Sequence, residues 1–139
     1  MAEHCTFCKI VKNKIPASYV YKDDRTIAFL DAKPANRGHT LVIPKKHYEN
    51  IYEISDEEVA YLYKIVKKVA IAVRKGVNAD GISILQNNGQ SAGQVIFHLH
   101  VHIIPRYRTK KTWHRRDAGR EELDDIAEDI RLYVEKSFR

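Results

Sequence analysis

Hydrophobic and polar residues alternate over several short stretches in the first part of this chain of 139 residues. The stretch YVYKDDRTIAFLD (19–31) alternates on both sides of an Asp-Asp pair and predicts a β-hairpin. GHTLVIP (38–44) predicts a third strand that begins after a glycine and ends at a proline. GISILQNN (81–88) and QVIFHLHVHIIP (94–105) predict a fourth and a fifth strand, joined by the glycine-bounded loop GQSAG (89–93).

Two longer segments have helical periodicity instead. A capping box of Ser55 and Glu58 begins the first helix, and Gly76 ends it. Its apolar face is formed by Val59, Leu62, Val66, Val69 and Val73. The segment REELDDIAEDIRLYVEKSF (120–138) predicts a second helix, whose apolar side is Leu123, Ile126, Ile130, Tyr133 and Val134. These elements indicate a single α+β domain over residues 1–139 with a mainly antiparallel, five-stranded sheet.

The composition is typical of a soluble globular protein, since 30% of the residues are charged and 44% are hydrophobic. No apolar stretch is long enough for a signal peptide or a membrane span, so we expect a cytoplasmic location and no membrane partner. The net charge of +6 fits a polyanionic partner and an anionic small molecule such as a nucleotide equally well. The basic segment RYRTKKTWHRR (106–116) either attracts phosphate or lies on a solvated loop.

Three of the seven histidines stand at alternate positions, His98, His100 and His102. In an extended chain they share one face, and the face opposite them is apolar and faces the core, with Phe97, Leu99, Val101 and Ile103. Three interpretations of these histidines are open. They are polar residues on a solvent-facing sheet, they are metal ligands, or they carry out nucleophilic catalysis at phosphorus. The loop NNGQSAGQ (87–94) directly before them lets backbone amides approach phosphate oxygens, which favours phosphoryl chemistry.

The segment HLHVHII (98–104) resembles the signature of the histidine triad (HIT) family of nucleotide hydrolases and transferases. Residues 7–47 are similar to the amino-terminal half of that family, and residues 87–106 to its active-site segment. The resemblance therefore covers a core at about 5–108 and leaves a C-terminal extension with a helix at about 109–139. It implies a homodimer in which the sheets of two subunits pair, with a nucleotide site in each.

The resemblance also implies roles for individual residues. His100 matches the nucleophile that attacks the α-phosphorus, and His102 the histidine that contacts the phosphate and assists the leaving group. His98 is the first histidine of the triad, and His39 matches a further histidine that supports the catalytic array. Asp31 matches the carboxylate that binds the ribose hydroxyls, as suits a group that only accepts hydrogen bonds.

Two further sets of residues complete the implied nucleotide site. The positions that match the phosphate-binding loop are Asn87, Gly93 and Gln94. The positions that match the base pocket are Phe7, Ile10, Ile15, Phe29 and Leu41. Without the resemblance, each member of the second set is better explained as an ordinary core residue. One departure is Val95, which stands where the nucleoside phosphoramidase branch has a phosphate-contacting serine.

The only cysteines, Cys5 and Cys8, form a C-x-x-C pair near the amino terminus. From the residues alone, a redox pair, two buried thiols without a function and half of a zinc site remain open, although the thioredoxin setting of a redox pair is missing. The resemblance to zinc-bearing members of the family implies a closed, structural zinc site formed by Cys5, Cys8, His47 and His98. His4 and His114 have no assignment.

These expectations combine into a nucleotidyl hydrolase or transferase that cleaves at the α-phosphate of a purine nucleoside derivative and requires no catalytic metal. Dinucleoside polyphosphates and nucleoside phosphoramidates are candidate substrates, and nucleic acid is a possible but not a required partner. A nucleotide-binding regulatory protein with incidental turnover is one alternative, and a metal-dependent hydrolase that uses the three histidines as ligands is another. In the tail, 107–139, substrate choice would be set near Trp113, Arg115 and Arg116.

Overall fold

The chain folds into a five-stranded antiparallel sheet with helices on both faces, in a computed structural model that describes residues 4–109 and 118–137. The strands are β1 (Tyr19–Lys22), β2 (Thr26–Leu30), β3 (Thr40–Pro44), β4 (Gly81–Leu85) and β5 (Val101–Arg106), in the order β1-β2-β3-β5-β4. The helices are α1 (Thr6–Val11), α2 (Asp56–Gly76) and α3 (Arg120–Ser137), with one short 3-10 turn at Gln90–Ala92. The predicted α+β class is confirmed.

Two of the three inner strands, β2 and β3, are buried on both faces, which explains why TIAFL and TLVIP are almost continuously apolar. One face of the sheet packs against α2 and α3, with Leu30, Val42 and Ile103 in that layer. The other face packs under α1, with Phe29 and Leu41 in that layer. A small second core therefore lies on the face of the sheet that carries the candidate site.

Helix α2 begins as predicted, since the Ser55 hydroxyl accepts a hydrogen bond from the Glu58 N–H at 3.1 Å. Acidic residues occupy its first turn and basic residues its last turn, as the helix dipole favours. Its last residue, Gly76, lies against α3, where a Cβ atom would stand 2.8 Å from the Ile130 Cα. The missing side chain thus lets the two helices approach each other closely.

The structure differs from the predicted elements at the histidine segment. Strand β5 begins at Val101 instead of Gln94, and Phe97 is 42% exposed instead of facing the core. The ladder to β3 stops because its next groups are already bonded: the carbonyl of Pro44 pairs with the His98 ring, and the Leu99 N–H donates to the Tyr48 carbonyl. Strand β4 likewise ends before the predicted Asn88, and the short helix α1 was not predicted.

Among residues 4–109 and 118–137, no helix combines the length and the apolar character needed to cross a bilayer. The cytoplasmic location and the single domain over residues 1–139 stay predictions.

The close approach at Gly76 gives a first test. Gly76→Ala places a methyl group against the Ile130 backbone, so we expect a loss of about 1 to 3 kcal/mol in the free energy of unfolding. Chemical denaturation followed by circular dichroism measures this loss. Gly81→Ala is the matched control, because no atom lies within 4 Å of the added methyl group. Equal stability of the two variants would contradict the packing argument.

Candidate active site and metal centre

The alternation predicted for the three histidines survives although only His102 lies within β5. The rings of His100 and His102 are in contact, with centroids 4.8 Å apart, and the edge of Phe7 packs against His100 at 5.2 Å. Leu99 points into the opposite core layer, against α2 and α3. The histidines therefore share the face of the sheet that α1 covers.

One ring nitrogen of His100 is fixed by the backbone. Its Nδ1 lies 2.8 Å from the carbonyl oxygen of His98, which only accepts, so Nδ1 carries the proton. The other nitrogen, Nε2, consequently has a free lone pair. Burial lowers the pKa of His100, against opposing effects of this backbone bond and of Asp31, and favours the neutral ring. A neutral imidazole with a free Nε2 is the form required of a nucleophile.

A second pair of histidines is ordered by a backbone amide. The Ala35 N–H donates to Nδ1 of His39 at 2.9 Å, so the proton of His39 resides on Nε2. That Nε2–H donates in turn to Nδ1 of His102 at 2.9 Å. The proton of His102 is thereby directed to its Nε2. Two adjacent rings thus have opposite properties: Nε2 of His100 is an acceptor, and Nε2 of His102 is a donor.

Asp31 lies beside this pair, at the end of β2. Its Oδ1 accepts the Lys33 N–H at 2.9 Å, and its Oδ2 stands 3.7 Å from Nε2 of His39. Its side chain keeps 15% exposure, whereas that of His39 is 1% exposed. The carboxylate is therefore fixed at the edge of the site, where a hydroxyl-bearing ligand can reach it.

The predicted base-pocket residues are brought together under α1, next to the histidines. Phe7 and Phe29 meet edge to face with centroids 5.4 Å apart, and Ile10 and Leu41 belong to the same buried cluster. Ile15 is only partly buried and packs at its margin. The five residues form one apolar surface in the small core layer.

The side-chain amide of Gln94 holds the predicted phosphate loop in place. Gly93 has φ of +95°, a conformation that favours glycine, and a Cβ atom there would lie 3.3 Å from the Asn87 Nδ2, so the Asn87 amide would have to shift slightly. Gln94 is 2% exposed, and its Nε2 donates to the carbonyls of Glu49 (2.6 Å) and Ile96 (3.1 Å) while its Oε1 accepts the Gly89 N–H. The Gln94 side chain therefore braces the loop and has no amide proton left for a phosphate.

The cysteine pair and two histidines form a second constellation. The ligand atoms of Cys5, Cys8, His47 and His98 all lie within 4.8 Å of one another. Sulfur–nitrogen distances are 3.4 Å from Cys5 to His98, 3.3 Å from Cys8 to His47 and 3.5 Å from Cys8 to His98. The Nδ1 atoms of His47 and His98 are 3.2 Å apart. The structure thus brings together the four residues predicted to bind zinc.

These separations match those around one tetrahedral zinc ion. Usual bond lengths place two nitrogens about 3.3 Å apart, and a sulfur about 3.5 Å from a nitrogen. The His98 Nε2–H donates to the Pro44 carbonyl at 2.8 Å, which leaves Nδ1 free to bind a metal and supplies the outer hydrogen bond that such histidines make. The donor set therefore fits zinc.

Without a metal, the protonation of these residues follows their burial. Burial, followed by the hydrogen bond and charge of Cys5, raises the pKa of Cys8 to about 11. Burial lowers the pKa of His98 to about 4, outweighing its bond to Pro44. Burial thus favours the neutral form of both groups, the thiol of Cys8 and the imidazole of His98.

Several groups of the site were absent from the sequence prediction, because they are backbone atoms. The Ala35 N–H and the carbonyls of Pro44, His98, Tyr48 and Glu49 bear no mark in a motif. The predicted tail residues Trp113, Arg115 and Arg116, and the unassigned His114, lie outside the described residues. His4 is exposed at the start of the described chain.

Known proteins resemble the chain over almost its whole length. The family model of the HIT domain matches residues 12–109. A hypothetical histidine triad nucleotide-binding protein of Sulfolobus tokodaii is 43% identical, with 95% of this chain and 93% of that chain covered and a TM-score of 0.90. A Zn-bound histidine triad family protein of Mycobacterium smegmatis is 36% identical, with coverage of 98% and 96% and a TM-score of 0.87.

A relative with a described activity is the adenosine 5'-monophosphoramidase hnt1 of Schizosaccharomyces pombe. It is 39% identical over 130 residues, which cover 91% of this chain and 95% of the relative.

The donor geometry predicts one zinc ion per chain. We expect Cys8→Ser to lower the zinc content measured by elemental analysis, and to remove about 3 kcal/mol of stability when free zinc exceeds the dissociation constant about a hundredfold. His4→Ser is the matched control, since His4 lies outside the cluster of four ligands. Full zinc content in the Cys8→Ser variant would show that the zinc uses other ligands.

Proposed function

The chain belongs to the histidine triad (HIT) family, and on that premise we propose that it is a nucleotidyl hydrolase or transferase acting at the α-phosphate of a purine nucleoside derivative. The observation that carries the proposal is the pair of neighbouring rings with opposite hydrogen-bonding states, His100 with an acceptor at its Nε2 and His102 with an N–H at its Nε2. Displacement at phosphorus needs both a nucleophile and a proton donor for the leaving group.

The reaction proceeds by two displacements. In the first, Nε2 of His100 attacks the α-phosphorus and the bond from phosphorus to the leaving group breaks, while the Nε2–H of His102 donates a hydrogen bond to the leaving atom, which takes a proton from solvent water. In the second, water attacks the nucleotidyl-histidine and releases its proton to the solvent, and the bond from His100 to phosphorus breaks. The products are the nucleoside monophosphate and the protonated leaving group, and no electrons are exchanged with a cofactor.

The surroundings of the two histidines have separate roles in binding. We assign the apolar surface of Phe7, Ile10, Ile15, Phe29 and Leu41 to the base. Asp31 accepts from the ribose hydroxyls, and the loop of Asn87 and Gly93 receives the phosphate. Gln94 acts on the phosphate only through the loop that its side chain braces.

The proposed zinc site lies beside the reacting groups. Cys5, Cys8, His47 and His98 would hold the ion, which contributes a rigid structural cross-link. His98 then positions the nucleophile through its own carbonyl oxygen, which accepts the Nδ1–H of His100. In this scheme the metal is structural, and the Nε2–H of His102 assists the leaving group.

The metal-dependent alternative finds less support in the positions of the nitrogens. Nδ1 of His98 faces the cysteines, Nδ1 of His100 donates to a carbonyl, and Nδ1 of His102 accepts from His39. The Nδ1 atoms of the three triad histidines therefore face three different partners.

The choice of substrate rests on the named relative. The similarity to an adenosine 5'-monophosphoramidase supports adenosine phosphoramidates as one substrate class. Val95 is 83% exposed and offers no hydroxyl at the position where that branch has a serine, so dinucleoside polyphosphates form the second class to be compared.

A homodimer belongs to the same proposal. Strand β4 lies at the edge of the sheet, and its Ile84 and Leu85 are half-exposed. An edge strand with unpaired backbone groups and apolar side chains is suited to pairing with the same strand of a second copy.

Ile84→Lys should shift the protein from dimer to monomer, because the added charge is buried when the two sheets pair. Sedimentation velocity measures the change. Leu132→Lys is the control, since Leu132 is an equally apolar, exposed residue on α3. A wild-type protein that sediments as a monomer would contradict the dimer.

The nucleophile is tested by measuring AMP release from adenosine phosphoramidate and from diadenosine tetraphosphate. His100→Ala should lower the rate about a thousandfold or more, and His4→Ala should leave it unchanged. Mass spectrometry after acid quenching should find the nucleotidyl adduct on the peptide that carries His100. Binding of both nucleotides without turnover by the wild type would favour the regulatory alternative for these substrates.

A further inference from the structure

The loop 31–39 carries a site residue at each end. Asp31 begins it and His39 ends it, and the Asp31 N–H donates to the His39 carbonyl at 2.9 Å, which closes the loop on itself. The Ala35 N–H, at the tip of the loop, determines the tautomer of His39. The conformation of this loop therefore decides where the proton of His39 resides.

Two side-chain hydrogen bonds join the loop to the carboxyl end of β5. The Tyr107 hydroxyl donates to the Arg37 carbonyl at 2.7 Å, and the Asn36 Nδ2 donates to the Pro105 carbonyl at 3.0 Å. Strand β5 also carries His102, three residues before Pro105. The two bonds thus hold the loop of His39 against the strand of His102.

The Tyr107 hydroxyl keeps the proton that it donates to the Arg37 carbonyl. Burial raises the pKa of its hydroxyl, against a smaller opposing effect of Arg37, so the phenol remains protonated at neutral pH. Tyr107 is half-buried and is the first residue of the tail that the sequence left without a role.

We propose that Tyr107 is a positioning residue, which keeps the Ala35 amide on His39 and thereby keeps the N–H of His102 on its Nε2, where it donates a hydrogen bond to the leaving group. If the loop moves away, Nδ1 of His39 loses its donor and the ring can carry its proton on Nδ1 instead. Nε2 of His39 then becomes an acceptor, and His102 places its proton on Nδ1 to meet it. The leaving group would face a lone pair where it needs a hydrogen-bond donor.

The proposal rests on the proposed function for its catalytic consequence but not for its structural one. The proton positions of His39 and His102 are properties of the resting protein, and ¹⁵N-detected NMR of the histidine rings observes them without substrate. The catalytic consequence depends on the leaving group, because a leaving group that is stable as an anion needs no proton.

The test is Tyr107→Phe, which removes only the hydroxyl. We expect kcat for adenosine phosphoramidate to fall about tenfold and KM to stay within about twofold, since part of the contribution of the proton donor is lost and binding is not. For the p-nitrophenyl ester of AMP, whose leaving group needs no proton, we expect kcat to change less than about twofold. The NMR spectra should show a redistribution of the His39 and His102 tautomers.

Tyr21→Phe is the matched control, because it removes a hydroxyl that bonds Asp23 at the tip of the β1–β2 hairpin, away from the loop. Asn36→Asp is the second variant: it keeps the oxygen that accepts the Arg37 N–H and loses the donor to Pro105. It should reproduce the selective loss on the phosphoramidate.

Equal losses on both substrates, or unchanged tautomers in both loop variants, would overturn the positioning role. If the wild type cleaves neither substrate, the proposed function fails, and the NMR comparison alone then decides whether Tyr107 sets the tautomers.

Discussion

His98 is completely buried, and three of its polar groups are bonded to different parts of the chain. Its Nε2–H donates to the Pro44 carbonyl at the end of β3, and its Nδ1 faces Cys5 and Cys8 at the amino terminus. Its backbone carbonyl accepts the Nδ1–H of His100. Because a buried polar group without a partner is costly, these bonds fix the position of the segment before β5. The amino terminus, the central strand and His100, the proposed nucleophile, are therefore held by one residue.

The second histidine pair depends on a different part of the fold. His39 lies in the loop directly before β3, and His102 lies on β5. The Ala35 amide sets the direction of the hydrogen bond between them. The signature of three histidines thus divides into two units, one anchored at the proposed zinc site and one anchored at the loop 31–39. The ring contact between His100 and His102 is where the two units meet.

The fold could be predicted from the sequence wherever one pattern decided the structure. The helix after Ser55 and the buried strands β2 and β3 follow from capping and apolar runs. The start of β5 could not be predicted, because alternation continues through His98 and His100 while the backbone leaves the ladder to satisfy Pro44 and Tyr48. Alternation reports which way side chains point, and it does not report whether the backbone is paired.

The candidate site shows the same division between side chains and backbone. The motif identified the histidines and the four possible zinc ligands, and the structure brings each set together. It could not identify the role of Gln94, whose motif position suggests a phosphate contact but whose amide is used by Glu49, Ile96 and Gly89. Nor could it identify the proton positions, because carbonyls and amides determine them. The sequence places the histidines, but the surrounding backbone decides which nitrogen of each ring accepts and which donates.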